Sequence, residues 1–156
     1  MDKSVISDTK KVADKMRTLC SRREYCRTDI LKKVLAFLDG NRNEAEAVVD
    51  NLVAEKYIDD LRYASAFARD KSSIAGWGVV KIRHMLLSKG IDRDTIEQAL
   101  DVIDEDKAAS KLDKIMADKA RSLAGDPHIR LKLLRFGLGR GYAYDELAAV
   151  VDKLFD

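Results

Sequence analysis

The chain is short of several things, and each shortage removes a class of protein. It has one proline in 156 residues, so long stretches are free to be helical, because proline is the main interior helix breaker. Its two cysteines, Cys20 and Cys26, stand six apart, and no further cysteine completes a zinc set; they read as reduced thiols, with no role assigned. No apolar run exceeds five residues (Val34 to Leu38, Leu147 to Val151), whereas a spanning helix needs about 20. The first residues, MDKSVISDTKK, lack the apolar stretch of a secretory signal, which sets a cytoplasmic expectation. The two histidines, His84 and His128, are isolated from each other and from any ligand spacing, and no phosphate-cradling glycine loop or nucleophile elbow occurs. The expectation is a protein without catalysis, metal or cofactor. Net charge is only +2, so the total says little about partners and its distribution must be read instead.

What the chain does have is helical periodicity nearly throughout. Val12, Met16 and Leu19 recur at i, i+4 and i+7, and Ile96, Ala99, Leu100 and Ile103 form a similar stripe. No period-two strand pattern stands out. Start and stop signals cut the chain into about nine short helices. Thr28, Asn43 (with Glu46), Asp59, Asp92, Asp104 and Asp126 (followed by Pro127) are the expected helix starts. Gly40, Gly90 and Gly141, spaced 50 and 51 residues apart, are the expected stops of three middle helices. The second and third units align position by position: Ile82 with Leu133, Asp94 with Asp145, Leu100 with Val151. The spacing predicts an all-α protein of three tandem three-helix modules stacked into an elongated, crescent-like arch. A tail over 1–9 precedes modules at 10–58, 59–103 and 104–156.

Charge repeats with the same period. Residues 10–33 carry nine basic against three acidic residues, residues 62–90 six against one, and residues 107–141 nine against three. The intervening segments are acidic: 34–61, 91–106 and 142–156 hold seven, seven and four acidic residues against two, one and one basic. Each module thus has two basic helices and an acidic third. The bands are either solvated faces or a basic track for a phosphate backbone with an acidic side toward a protein. Although Val80 to Leu100 resembles a helix-turn-helix, its last helix carries Asp92, Asp94, Glu97 and Asp101, which phosphate would repel. Any nucleic-acid contact is therefore expected from the basic helices and tolerant of sequence. The candidates are Arg22, Arg23, Arg27, Lys32 and Lys33 in the first module, Lys71, Lys81, Arg83 and Lys89 in the second, and Arg130, Lys132, Arg135 and Arg140 in the third. Trp77, between Gly76 and Gly78, either stacks on a base or plugs the gap between two helices.

One segment joins the first two modules: Tyr57, Ile58, Asp59, Asp60, Arg62, Tyr63, Ala64 and Phe67. Locally it is a capped helix with a core stripe. It also resembles the signature of the RecX family, bacterial regulators of the RecA recombinase, which shows a Gly-Tyr-Leu-Asp-Asp-like start and then Arg-Phe-Ala with a later aromatic. Downstream, Gly76-Trp77-Gly78, Ile82-Arg83-His84-Met85-Leu86 and Lys89-Gly90-Ile91 are similar to the family's glycine turn, Ile-Arg-x-x-Leu helix and Lys-Gly-Ile stop. The third module's Leu138-Gly139-Arg140-Gly141-Tyr142 is similar to its C-terminal block. Lys56 and Val79 depart from the pattern, where many relatives have glycine and proline. The resemblance implies an all-helical crescent, without catalysis of its own, that lodges along the RecA–DNA filament and inhibits recombinase, ATPase and coprotease activities; a monomer is expected. A nucleic-acid-binding module acting on single- or double-stranded DNA without RecA is the alternative. The signature residues are expected to be mainly structural.

Overall fold

A computed structural model describes the backbone of residues 3–156 and side chains from Asp8 onward. Among the described residues there are nine α-helices and no strand: α1 (Lys3–Arg22), α2 (Arg27–Phe37), α3 (Arg42–Ala54), α4 (Asp60–Ser73), α5 (Val79–Ser88), α6 (Arg93–Leu100), α7 (Glu105–Ser122), α8 (Ile129–Gly139) and α9 (Tyr144–Leu154). The fold is all-α, as the periodicity predicts. α1 already starts at Lys3, inside the segment expected as a tail.

Apolar side chains gather into three cores that follow the chain in order. Val12, Met16, Ile30, Val34, Val49 and Leu52 build the first, from α1, α2 and α3. Ala64, Ala68, Ile82, Leu86, Ile96 and Ala99 build the second, from α4, α5 and α6. Leu112, Met116, Leu133, Leu147 and Val151 build the third, from α7, α8 and α9. Each core is small, so each triplet gains burial from its neighbour. One residue packs across the triplets: Cys26, at the start of α2, is buried in the second core, while Ile58, just before α4, is buried in the first, next to half-buried Tyr57.

The caps explain where most helices begin. Asp59, Asp92 and Asp104 each accept a hydrogen bond from the backbone N–H three residues on, at 3.0, 2.8 and 3.0 Å. Three expected starts move. Thr28 does not cap α2. Cys26 stands at that position without a side-chain bond, and Asp60 of the next triplet accepts the Arg27 N–H at 2.8 Å instead. Asn41, not Asn43, caps α3 through the Glu44 N–H at 3.2 Å, because left-handed Asp39 and Gly40 turn the chain two residues earlier. Asp126 does not cap α8. Its carboxylate accepts the His128 N–H at 2.8 Å, forming a turn that carries Pro127 and delays the helix to Ile129. The three expected glycine stops all have positive φ: Gly40 at 79°, Gly90 at 75° and Gly141 at 95°.

Candidate nucleic-acid interface

The signature segment builds the joint between the first and second triplets. Asp59 is occupied as a cap and Asp60 holds the start of α2. Arg62 reaches back from α4. Its Nε donates to Glu24 at 2.7 Å, and Nη2 donates to the carbonyls of Lys56 and Tyr57 at 3.0 and 3.3 Å. Lys89, at the end of α5, pairs with Asp29 at 3.0 Å, and that partner raises its ammonium pKa. Ala64, Ile82 and Leu86 are buried, while Tyr63 and Phe67 pack half-buried against the same core.

The joint between the second and third triplets is made differently. The Gly78 N–H donates to the Arg140 carbonyl at 2.8 Å, and the Val80 N–H to the Gly141 carbonyl at 3.1 Å. These bonds require backbone to approach backbone. A Cβ on Gly78 would collide with the Gly141 carbonyl, and one on Gly141 with Lys81. The buried Tyr142 hydroxyl donates to the Gly76 carbonyl at 3.0 Å, and Arg140 Nη2 to that of Ala75 at 2.9 Å. Burial pushes the Tyr142 hydroxyl pKa up.

Several candidate cations are bound to carboxylates. Arg27 pairs with Asp50 at 2.7 Å, Arg83 with Glu97 at 2.7 Å, Arg130 with Asp152 at 3.3 Å, and Lys132 with Asp126. The Arg83–Glu97 pair ties α5 to α6, raising the guanidinium pKa and lowering that of the carboxylate. Arg22, Arg23, Lys32, Lys33, Lys71, Lys81 and Arg135 form no ion pair among the described residues. Arg23 instead lies over the Tyr25 ring at 4.5 Å, with Lys33 at 5.9 Å from the same ring. Arg140 lies over Phe136 at 5.6 Å while serving the joint.

Around Trp77 the structure brings together residues that are far apart in sequence. Trp77 meets Phe67 edge-on at 6.0 Å and is half-buried in the second core, so it does plug the helices. Lys71 from α4 and Lys81 from α5 place their ammonium groups 4.6 and 4.2 Å from its ring centroid. Lys111 from α7 and Arg140 both come within 3.4 Å of where a Cβ on Gly76 would lie. Sequence reading did not single out Lys111. Its only signal was membership of the third basic band, since nothing local places α7 beside the Gly76 loop. Among the described residues no cluster of three or more His, Cys, Asp or Glu side chains is placed to hold a metal ion. Both thiols are free, and burial raises both pKa values, keeping them protonated. No helix among the described residues is long and apolar enough to cross a membrane.

Comparison with known proteins agrees with this architecture. A family model described as "RecX, second three-helix domain" matches residues 59–100, which hold α4 to α6. A "Regulatory protein RecX" of Chlorobium phaeobacteroides (strain BS1) is 31% identical over 154 residues, covering 96% of this chain and 97% of its own. The chain also matches one of Clostridium tetani at 30% identity, there covering 70% of this chain and spanning about half (51%) of the relative. The crystal structure of RecX from Lactobacillus salivarius superposes with a TM-score of 0.80 at 22% identity, covering 96% of this chain and 97% of that one, which shows a shared fold. With similarity running nearly end to end at 31% identity, and three helical triplets in the same arrangement, the chain belongs to the RecX family.

Proposed function

We propose that this protein binds along the RecA–DNA filament and modulates it, mainly by lowering recombinase, ATPase and coprotease activity in DNA repair and SOS regulation. One observation carries the reading: three helical triplets in a row repeat the same basic, basic, acidic order, in a chain of the RecX family. A row of preformed helices offers a long contact surface at low ordering cost. Its basic helices suit phosphate or acidic filament surfaces, and its acidic third helices suit basic loops of the recombinase. In this reading the units 10–58, 59–103 and 104–156 each dock once. Occupying the groove obstructs a second duplex and the subunit motions coupled to ATP turnover.

The decisive experiment adds the protein to RecA assembled on single-stranded DNA and follows ATP hydrolysis and strand exchange. The reading expects both to fall as the protein is added. Unchanged rates at saturating protein retire it. A second reading, nucleic-acid binding without recombinase, is favoured by the unpaired lysines beside Trp77. Binding to bare DNA that RecA does not alter, combined with unchanged filament activity, would select it.

A further inference from the structure

We infer that the loop Ile74–Gly78, at the joint of the second and third triplets, is a binding site for single-stranded nucleic acid. Trp77 is the stacking surface, and Lys71, Lys81 and Lys111 are the phosphate contacts. The site deepens the filament reading by giving the DNA strand a specific seat, and it rests on the basic helices facing nucleic acid.

Four observations converge on it. First, the indole is only half-buried. It packs edge-to-face with Phe67, and the Lys71 and Lys81 ammonium groups lie over the ring, 4.6 and 4.2 Å from its centroid, so a base stacks there as those side chains swing aside. Second, Lys71, Lys81 and Lys111 lack a carboxylate partner among the described residues, in contrast to Arg27, Lys89, Arg83, Arg130 and Lys132. Their charge is uncompensated, and only weak ring contacts hold two of them, so they are free to turn toward an anion. Third, the loop is fixed from behind by the Tyr142 and Arg140 hydrogen bonds to the carbonyls of Gly76 and Ala75, so the ring is presented on a rigid mount. Fourth, the open recess alongside, lined by Ser73, Asp106, Lys107, Ser110, Lys111 and Lys114, has three lysines against one carboxylate and continues the positive surface onto α7.

An aromatic face interleaved with lysines is the arrangement that holds a single strand. Each base offers a π-face to the ring while phosphates meet the ammonium groups, with no demand on sequence. An acidic peptide would use the lysines and leave the ring idle. A duplex, with its bases already stacked, would do the same.

Trp77 is the only tryptophan in the chain, so it reports on its own site. Titrating the intact protein with a thymidine oligonucleotide, without recombinase, should quench its fluorescence. Lys71→Ala combined with Lys81→Ala should weaken binding of a labelled oligonucleotide. It should also reduce the steepness of the log–log salt dependence by about 1.4, as expected for two lost contacts to a single strand. Trp77→Ala should weaken binding at least about five-fold, while Trp77→Phe should recover much of it. Arg42→Ala with Arg121→Ala, an equal charge loss elsewhere, should change the affinity much less. Circular dichroism should show the lysine variant fully helical. Absence of quenching at saturating oligonucleotide overturns the inference. So does unchanged affinity and salt slope in the lysine variant, or equal binding of polyglutamate, which would mark an acidic protein as the partner. Because no recombinase is present, this result is independent of the filament assay. Quenching with unaffected ATP hydrolysis would keep the site and remove the filament reading.

Discussion

The two joints of the molecule do the same task by different chemistry. Between the first and second triplets the tertiary links include charged side chains: Lys89 to Asp29, Arg62 to Glu24, and the Asp60 carboxylate to the Arg27 N–H. Between the second and third, backbone meets backbone at Gly78, Val80, Arg140 and Gly141, backed by the buried Tyr142 hydroxyl. Charged pairs at a surface are weak and screened by salt, and long side chains tolerate small shifts. A backbone clasp at a glycine contact has little tolerance and little salt dependence. The charged links of the first joint are therefore its adjustable part, around the buried Cys26, and the second joint holds a fixed geometry, with the Trp77 loop mounted on it.

The most severe way to break this contrast is Gly141→Ala. The residue sits at φ 95°, and a Cβ would run into Lys81 side chain and backbone. Left-handed strain and overpacking together should cost about 2–4 kcal/mol, read as a loss in urea-unfolding stability that added salt does not reverse.

Next in size is Tyr142→Phe, which strands the Gly76 carbonyl and should cost about 1 kcal/mol. The same hydroxyl gives a pH signature. Burial raises its pKa above the ordinary 10.0, so the folded state favours the neutral form. That contribution is complete below pH 10 and is lost as pH rises through the folded value. Raised values at Cys26, from burial, and at Lys89, from Asp29, act with the same sign. Stability should hold from neutral pH to about pH 9 and then fall, and the fall should be shallower in Tyr142→Phe. Unfolding curves collected between pH 7 and pH 11 check this.

The smallest effect belongs to the first joint. The Lys89 and Asp29 side chains are 34% and 26% exposed, so Lys89→Ala should cost only about 0.5 kcal/mol at low salt. The difference from the unmodified protein should shrink as salt is added. A large, salt-independent loss would show that the first joint is as rigid as the second.

The sequence made some of this legible and hid the rest for physical reasons. Helix number and order came from periodicity and from stop glycines 50 and 51 residues apart, because both are local signals. Caps were readable where the carboxylate bonds its own helix, as at Asp59, Asp92 and Asp104. They failed at α2, where the bond comes from Asp60, 33 residues away. Lys56 shows a subtler case. It occupies φ 65°, a left-handed position that glycine adopts without strain, so the departure from the glycine that the resemblance led one to expect carries backbone strain. Among the basic candidates, charge alone could not separate Lys81, left without an acidic partner, from Lys132, held by Asp126. Ion pairing is decided by tertiary neighbours. The Trp77 cluster was invisible for the same reason, since Lys71, Lys81 and Lys111 come from three helices.

The proposed role turns on recognition of an assembled filament, and sedimentation tests that most directly. The protein is mixed with RecA assembled on single-stranded DNA, with unassembled RecA, and with DNA alone, and the pelleted or co-migrating fraction is measured in each case. The account predicts strong retention on the assembled filament, weaker and salt-sensitive retention on DNA alone, and little on unassembled RecA. Equal retention on filament and bare DNA, or none on the filament, would contradict it.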